Sequence, residues 1–264
     1  MKQFILEKNP DGNGLIRLEG GDYRYLVRVR RLAPGECFPA LLPDGAEVSV
    51  RIVSVDNNTL TGKIAAEAPE GKACLPEIPE LYLYQALPKG DKMDLIVRQA
   101  AEGALAAIVP FTSEFSEAKP KSESQKFARW QRIIKEARQQ CGSAVATKIL
   151  QPLDIDGLFG HWEQLKSQKP GAIGLFFHHI PLENESLHQY LGKGEKPEAA
   201  ALAIGPEGGF SAAEAGRFIA AGFKPFTIGD TVLRTETAAL YAAAAVRVII
   251  MERDSWETKQ KILN

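Results

Sequence analysis

The stretch 199–247 holds residue types and spacings that indicate a ligand site. It opens with the continuously apolar run AALAIG, typical of a buried parallel strand, and continues as GPEGGF. The glycines Gly205, Gly208 and Gly209 permit a sharp turn and let a ligand approach main-chain groups. Loops at the carboxyl ends of parallel strands are where α/β proteins bind ligands. Taken alone, however, this loop is neither a P-loop nor a GxGxxG loop, and its glycines by themselves favour a plain strand–helix turn over a ligand site.

A second loop further along the chain strengthens the case for a site. It contains Gly229 and Asp230 and leads through Leu-Arg-Thr-Glu-Thr (233–237) into a long Ala-rich segment. Thr235 or Thr237 is suited to cap the helix that this segment predicts. Arg234 and Glu236 then place a cation and a carboxylate beside a positive helix terminus.

Elements that would position both loops follow from the apolar pattern. The runs LYLYQAL, AAIVPF, AIGLFF and AALAIG predict buried parallel strands. Helical patterns lie between and after them, at 92–102, 123–140, 156–168, 212–221 and 235–252. Ser211 is the expected N-cap of the fourth helix, with Glu214 completing a capping box. The alternation predicts an α/β domain over 80–252.

The first part of the chain has a different pattern. Short segments at 35–42, 46–55 and 59–64 are separated by the turns Pro43-Asp44-Gly45 and Asp56-Asn57-Asn58. Such strands predict a small antiparallel barrel over 1–68. The stretch 66–79 is rich in Pro, Glu and Gly and is expected to be the linker.

Composition restricts the class of protein. The chain has 264 residues, 45% of them hydrophobic and 25% charged, which suits a two-domain globular protein. It has no apolar stretch long enough to span a membrane and no secretory signal pattern at its start, so we expect a cytoplasmic protein without membrane association. The widely spaced cysteines Cys37, Cys74 and Cys141 match no metal-ligand pattern, and we expect neither disulfides nor metal.

Charge is balanced overall but clustered locally. The 32 Lys and Arg residues against 33 Asp and Glu residues give a net charge of −1, which argues against binding nucleic acid by bulk charge. Two basic clusters remain, one at Arg24, Arg28, Arg30 and Arg31, the other along 119–138. A solvated helix face and a local RNA-binding patch are both consistent with the second cluster.

The two loops together resemble a known family. GPEGGF at 205–210 followed by IGDTVLRTETAAL at 228–240 is similar to the signature of the 16S ribosomal RNA uridine-N3 methyltransferases, of the SPOUT (α/β-knot) superfamily. Weaker similarity covers most of the chain, including RWQRIIKEARQQCG, which resembles the basic helix of the family, and the N-terminal strands with YLVRVRRLAPGE.

The resemblance implies a fold and a function. It implies an N-terminal PUA-like β-barrel that binds RNA, followed by a SPOUT α/β domain with a deep trefoil knot. It further implies a homodimer that methylates N3 of a uridine in small-subunit ribosomal RNA with S-adenosylmethionine as donor.

It also implies roles for individual residues. Arg234 and Glu236 are the expected catalytic pair, with Arg234 stabilising the uracil oxygens and Glu236 orienting Arg234 or accepting the proton. The expected cofactor-binding residues are Ile204, Gly205, Glu207, Gly208, Ile228, Gly229, Leu233, Arg234, Thr235 and Glu236. The expected RNA-binding residues are Arg24, Arg28, Arg30, Arg31, Arg129, Arg132 and Arg138.

The chain departs from the family pattern outside the two loops. Phe115 stands where the family usually has the arginine of Ser-Glu-Arg, and Ser143 replaces the arginine of its EQ-x-GR pattern. A lysine is missing from 99–104 and a histidine from 25–31. Either shifted cations such as Arg30 and Arg138 meet the RNA, which we favour, or the chain has another substrate.

Two other functions are consistent with parts of the pattern. A non-catalytic RNA-binding or assembly factor would explain the missing cations, although the intact Arg-Thr-Glu step disfavours it. A nucleotide hydrolase using GPEGG as an anion loop lacks the required lysine and magnesium ligands. His178 and His179 follow a strand and either border the site or, as we favour, face solvent.

Overall fold

The computed structural model describes residues 4–67, 79–116, 123–182 and 185–263, with side chains except at 66–67, 123–124 and 254–263. Most of the expected linker, together with Cys74, Lys119, Lys121 and Glu183, lies outside these ranges. The described residues form two compact units. The first contains 4–67 and Lys135–Ala146, and the second contains the remainder.

The first unit is built on a five-stranded mixed sheet. Its strands are β1 (Phe4–Ile5), β2 (Leu15–Glu19), β3 (Cys37–Leu41), β4 (Glu47–Asp56) and β5 (Thr59–Glu67), in the order β1-β3-β4-β5-β2. The pair β1–β3 is parallel and the other pairs are antiparallel. Within the described residues β1 and β2 are sheet edges that do not pair with each other, so the expected closed antiparallel barrel is seen here as an open mixed sheet.

Both predicted turns of the first unit are present. Gly45 adopts a φ of 92°, and the Ala46 amide donates to the Asp44 side chain over 2.9 Å, which fixes the β3–β4 connection. Asn58 adopts a φ of 69° between β4 and β5. Both residue types tolerate this left-handed conformation, which explains why the turns could be predicted.

A helical segment that the sequence did not predict completes this unit. It consists of α1 (Gly20–Tyr23) and a π-helical turn, Arg24–Val29. Tyr23 and Leu26 are buried in the core of the sheet, beside Phe38 and Val50. Because these two apolar anchors face inward, the arginines of the segment are left on its outer side.

The second unit contains a six-stranded parallel sheet. Its strands are β6 (Glu80–Ala86), β7 (Ala107–Phe111), β8 (Lys148–Ile149), β9 (Ile173–Phe177), β10 (Ala199–Ile204) and β11 (Phe223–Phe226), in the order β11-β9-β10-β6-β7-β8. Every pair is parallel. The predicted α/β class is therefore confirmed, and the carboxyl ends of β9, β10 and β11 meet at one edge.

The helices lie close to their predicted positions. They are α2 (Lys92–Glu102), α3 (Glu123–Cys141), α4 (Ile155–Gln168), α5 (Leu187–Leu191), α6 (Ala212–Ala220) and α7 (Thr235–Leu263). The short α5 was not predicted, and α7 runs past its predicted end at 252. Its last turns contain good helix formers and neither Gly nor Pro, which explains the extension. No helix of the described residues is long and apolar enough to cross a membrane.

Candidate functional site

The glycine-bearing loop follows β10 at the sheet edge. All six residues of β10 are buried, so the strand is fixed in the core and delivers the loop at a defined place. The loop turns back sharply, because a Cβ on Gly205 would lie only 2.9 Å from the carbonyl carbon of Gly209. Gly209 has a φ of 71°, and its amide donates to the Pro206 carbonyl over 2.9 Å. The loop then enters α6 through the predicted Ser211–Glu214 capping box, which is present.

The arginine-bearing loop joins β11 to α7 and reaches the first loop through a hydroxyl group. The Thr235 hydroxyl donates to the Gly205 carbonyl over 2.7 Å. The same oxygen accepts a hydrogen bond of 3.0 Å from Nε2 of Gln85, at the end of β6. Thr235 is 4% exposed and Gln85 is fully buried, so water does not compete for these bonds. The two loops are thus held together at the carboxyl edge of the sheet.

A cavity of about 340 Å³ lies between the two loops. Seven of the ten expected cofactor residues line it, namely Ile204, Gly205, Glu207, Gly208, Ile228, Leu233 and Thr235. The other three, Gly229, Arg234 and Glu236, belong to the same loop or the start of α7 without lining this cavity. Its size falls within the range of small-molecule sites, roughly 300–1,000 Å³.

The end of β9 contributes cavity residues that sequence reasoning did not assign. Phe177, His178 and His179 line the cavity, and the two imidazole rings stack with centroids 4.6 Å apart. His178 is half-buried and His179 is exposed. The expectation that both histidines face solvent therefore agrees with the exposure of His179, but both residues also line the cavity. In the sequence, the position of His178 and His179 directly after a buried strand was the feature that could have indicated this role. Only the pairing of β9 with β10 shows that the end of β9 reaches the glycine loop.

Glu207 anchors the glycine loop rather than pointing a free carboxylate into the cavity. Its Oε1 lies 2.5 Å from the ammonium of Lys92, and both carboxylate oxygens accept from the Lys89 amide at 3.1 and 3.3 Å. Burial acts to raise the pKa of Glu207, but the hydrogen bonds from Lys92 and Lys89 outweigh it and lower the pKa below its ordinary value. Glu207 is therefore a paired anion at neutral pH.

Arg234 immediately precedes α7, and Glu236 lies in the first turn of that helix. The Ala238 amide donates to the Arg234 carbonyl over 2.8 Å, as expected for the first turn of a helix, and the Arg234 side chain is exposed. Oε2 of Glu236 is buried and has no hydrogen-bond partner within the described part of the chain. No ion pair between Arg234 and Glu236 is present among the described side chains, so the carboxylate does not orient the guanidinium by direct contact.

The first basic cluster is exposed along the π-helical turn and its end. Arg24, Arg28, Arg30 and Arg31 all have exposed side chains, and Val29 between them is 68% exposed. Arg31 adopts a φ of 57°, the left-handed conformation with which the helical segment ends. The four guanidinium groups are therefore carried on a short segment whose apolar side is fixed in the core.

Most cations of α3 that the structure describes are engaged in contacts. Arg129 forms an ion pair with Asp94, and Lys135 contacts Glu7 at 2.8 Å and Asp22 at 3.1 Å. Arg132 is exposed on the helix and also takes part in an interaction. Arg138 departs from the predicted solvated face, because it is only 8% exposed and donates to the Ala144 carbonyl over 3.4 Å. Burial lowers the pKa of Arg138.

No group of three or more His, Cys, Asp or Glu side chains in the described part of the chain is arranged to hold a metal ion.

Comparisons with known proteins agree on one family. A family model described as an RNA methyltransferase domain matches residues 76–247. A ribosomal RNA small subunit methyltransferase E from Synechocystis is 30% identical over 236 residues, covering 89% of this chain and 73% of the relative. A protein of the same name from Bacillus subtilis is 27% identical over 240 residues, covering 87% and 88%.

A solved structure extends the likeness to the whole fold. A ribosomal RNA small subunit methyltransferase E from Neisseria gonorrhoeae, bound to S-adenosyl methionine, superposes with a TM-score of 0.77 and is 26% identical. The alignment covers 94% of this chain and 98% of that one.

Proposed function

The chain belongs to the RNA methyltransferase family, and from that premise we propose that it methylates small-subunit ribosomal RNA with S-adenosylmethionine, at N3 of a uridine. The observation that carries the proposal is the cavity between the glycine loop and the start of α7, held by the Thr235–Gly205 hydrogen bond. The same two stretches carry the motif similarity. The assignment of uridine N3 as the methylated atom rests on that motif similarity.

The cavity fits a nucleoside with an amino-acid tail. Its lining combines apolar side chains, Ile204, Ile228 and Leu233, with main-chain groups of the glycine loop, a mixture suited to an adenine ring and its polar edge. A side chain at Gly205 would occupy the space that Gly209 takes, so this backbone approach requires glycine. The residues that would hold the donor are therefore those lining the cavity, with Gly229 supporting the second loop through its φ of 73°.

The chemistry requires a proton to leave uracil N3 and the resulting negative charge to be stabilised. When bound, S-adenosylmethionine supplies an electrophilic methyl group. Arg234 carries an exposed guanidinium at the positive end of α7, where it can hydrogen-bond the uracil oxygens as they gain charge. Glu236 has a buried carboxylate oxygen without a hydrogen-bond partner among the described residues, and it is our candidate proton acceptor.

RNA binding is assigned to the exposed arginines. We propose that the first unit is a PUA-like RNA-binding module and that Arg24, Arg28, Arg30 and Arg31 contact phosphates. Of the α3 arginines, Arg132 is exposed. Arg129 would have to break its ion pair with Asp94 before it could bind a phosphate, and Arg138 is almost fully buried. The proposal therefore places the main phosphate contacts on the π-helical segment.

The second unit is proposed to carry the trefoil knot of the superfamily and to form a homodimer in the cytoplasm, where ribosomes assemble. A groove of about 210 Å³ between α2 and α7 is lined mostly by small and apolar residues, among them Ala239, Leu240, Ala243 and Val248, together with Gln99 and Arg247. Leu240 and Val248 are 42% and 48% exposed. Small side chains permit close helix approach, and a second copy of the chain would cover this surface. An exposed-site variant, Leu240→Glu, should sediment as a monomer while the wild type sediments as a dimer.

Methyl transfer to RNA tests the function directly. The protein is incubated with methyl-labelled donor and small-subunit RNA that lacks modification, and the labelled position in the RNA is mapped by mass spectrometry. Incorporation at N3 of one uridine is the expected result, and prior methylation of that uridine should abolish it. Incorporation at another atom would overturn the N3 assignment, and incorporation into large-subunit RNA alone would overturn the substrate.

A non-catalytic RNA-binding factor is the second candidate. The burial of Arg138 and the lack of several family cations favour it. Calorimetric binding of the donor, with RNA binding but no turnover on any small-subunit RNA, would support this alternative against the methyltransferase.

A further inference from the structure

Phe115 presents an aromatic side chain to solvent next to the cavity. It lies in the turn after β7, where the Ser116 amide donates to the Ser113 carbonyl over 3.0 Å. Phe115 is 45% exposed, whereas phenylalanine is one of the residues most often buried in folded proteins. Burial in the core therefore does not explain a phenylalanine at this position.

The ring rests against the glycine loop. A Cβ built on Gly208 would lie 2.9 Å from Cβ and 3.2 Å from Cγ of Phe115, so the two residues are in close contact. Gly208 itself lines the cavity. Phe115 does not itself line the cavity, but it packs against a residue that does, and nearly half of the Phe115 residue stays accessible to an incoming molecule.

A buried carboxylate fixes the turn that carries this ring. The amide of Glu114 donates to Oε1 of Glu214 over 2.8 Å, and the Ser211 amide donates to Oε2 of the same carboxylate over 3.0 Å. Glu214 is 5% exposed and lies in the first turn of α6. The main chain next to Phe115 is thus fixed before any ligand arrives, which lowers the entropy cost of presenting the ring to a base.

The proposed reaction needs such a surface. N3 of uracil lies on the edge that forms base pairs, so the uridine has to be unpaired when it enters a methyltransferase site. Unpaired bases lose their stacking neighbours, and RNA-binding proteins replace these with aromatic side chains. The phenyl ring also carries no charge, so it recognises a base face rather than a phosphate.

We propose that Phe115 stacks on the unpaired uracil that the cavity receives. This inference rests on the proposed function, and it adds a residue that binds the target base. Base–aromatic stacking contributes enough that losing it is expected to weaken RNA binding by roughly tenfold.

Substitutions at Phe115 separate stacking from bulk hydrophobicity. Phe115→Leu keeps an apolar side chain and removes the aromatic face, whereas Phe115→Tyr keeps the face. We expect kcat/KM for RNA to fall about tenfold in the leucine variant and to remain near wild type in the tyrosine variant. Ile219→Ala, at a half-exposed apolar residue of α6, is the matched control and should change nothing.

A binding measurement without turnover completes the test. Wild type and Phe115→Leu are titrated with an RNA fragment containing the mapped uridine, and with the same fragment carrying an abasic site there. The affinity ratio between the two proteins should be about tenfold on the first RNA and close to one on the second. Donor affinity measured by calorimetry should be the same in both proteins.

Three results would overturn the inference while leaving the methyltransferase intact: equal kcat/KM for the two proteins, an affinity ratio that persists on the abasic RNA, or weaker donor binding by the leucine variant. The last would assign Phe115 to the donor. Absence of methyl transfer by the wild-type protein would instead refute the proposed function, and this inference with it.

Discussion

The hydroxyl of Thr235 donates a hydrogen bond of 2.7 Å to the main-chain carbonyl of Gly205. This contact links the start of α7 to the glycine-bearing loop, and Gln85 near the end of β6 donates to the same hydroxyl. Three segments far apart in the chain therefore meet at one buried oxygen.

Replacing Thr235 with Val should weaken both the fold and donor binding. The change leaves the Gly205 carbonyl and one Gln85 N–H unsatisfied in a buried place, which costs about 1–3 kcal/mol of unfolding free energy. Donor affinity should fall because the two cavity walls are no longer joined. Denaturant unfolding and calorimetry measure the two effects. Thr235→Ser retains the hydroxyl and serves as control; a valine variant as stable as the serine variant would contradict the role of this bond.

A methyl group on Gly205 should disrupt the cavity. The new Cβ would lie 2.9 Å from the Gly209 carbonyl carbon, and main chain cannot move aside as a flexible side chain would. We expect Gly205→Ala to lose at least tenfold in donor affinity by calorimetry, because the loop must shift.

Gly216 provides the control for that substitution. It lies within α6, and a Cβ there would meet nothing within 4 Å. Gly216→Ala should bind donor normally and gain about 0.5–1 kcal/mol of stability, as alanine does in a helix. Similar donor affinities in the two variants would show that the turn at Gly205 is not needed.

The local sequence pattern correctly predicted the elements that are stabilised by interactions between residues close in the chain. The capping box at Ser211 and Glu214 and the bounds of α2 depend on residues close in sequence, and both are present. The strands β1 and β2 were missed because they are held by partners elsewhere: β2 pairs with β5, some forty residues later (Glu19 with Thr59). The contribution of His178 and His179 to the cavity likewise depends on the order of strands in the sheet.

The exposed arginines of the first unit should control the salt dependence of RNA binding. Each phosphate contact releases counterions, so removing one lowers the slope of log K against log salt by about one. Arg28→Ala and Arg31→Ala should each reduce the slope and weaken binding to all RNA sequences alike. Arg217→Ala removes an arginine of α6 that pairs with Asp156, and it should leave the slope unchanged. Filter binding between low and physiological salt measures this; unchanged slopes in both first-unit variants would place the RNA elsewhere.

His161 should make folding stability depend on pH. Its Nδ1 lies 2.7 Å from the Tyr84 hydroxyl, and burial lowers the pKa of His161 below its ordinary value of 6.5. Burial also raises the pKa of Tyr84, so a protonated phenol shares this hydrogen bond with a neutral imidazole. The unfolded chain therefore binds a proton at a pH where the folded chain does not, and the free energy of unfolding should fall as pH drops below about 6.5.

The glutamine variant isolates this contribution from the other histidines. His161→Gln retains a hydrogen-bonding partner for Tyr84, as donor or acceptor, but does not titrate. Denaturant unfolding from pH 7.5 to 5 should show a smaller loss of stability in this variant than in the wild type. Parallel curves would mean that the imidazole takes up its proton equally well in the folded protein.

Arg234→Ala should slow methyl transfer without weakening donor binding. The Arg234 side chain is exposed at the start of α7 and does not line the cavity, whereas its neighbours Leu233 and Thr235 do. Its proposed role is to stabilise charge that develops on the uracil oxygens, and losing one such donor costs about a hundredfold in kcat. Single-turnover transfer from labelled donor measures the rate, and calorimetry measures donor affinity.

Arg234→Lys should recover part of the rate, because it restores charge without the planar fork of donors. An alanine variant with unchanged kcat, or with lost donor binding, would remove Arg234 from the chemistry and leave the helix terminus itself as the stabilising group.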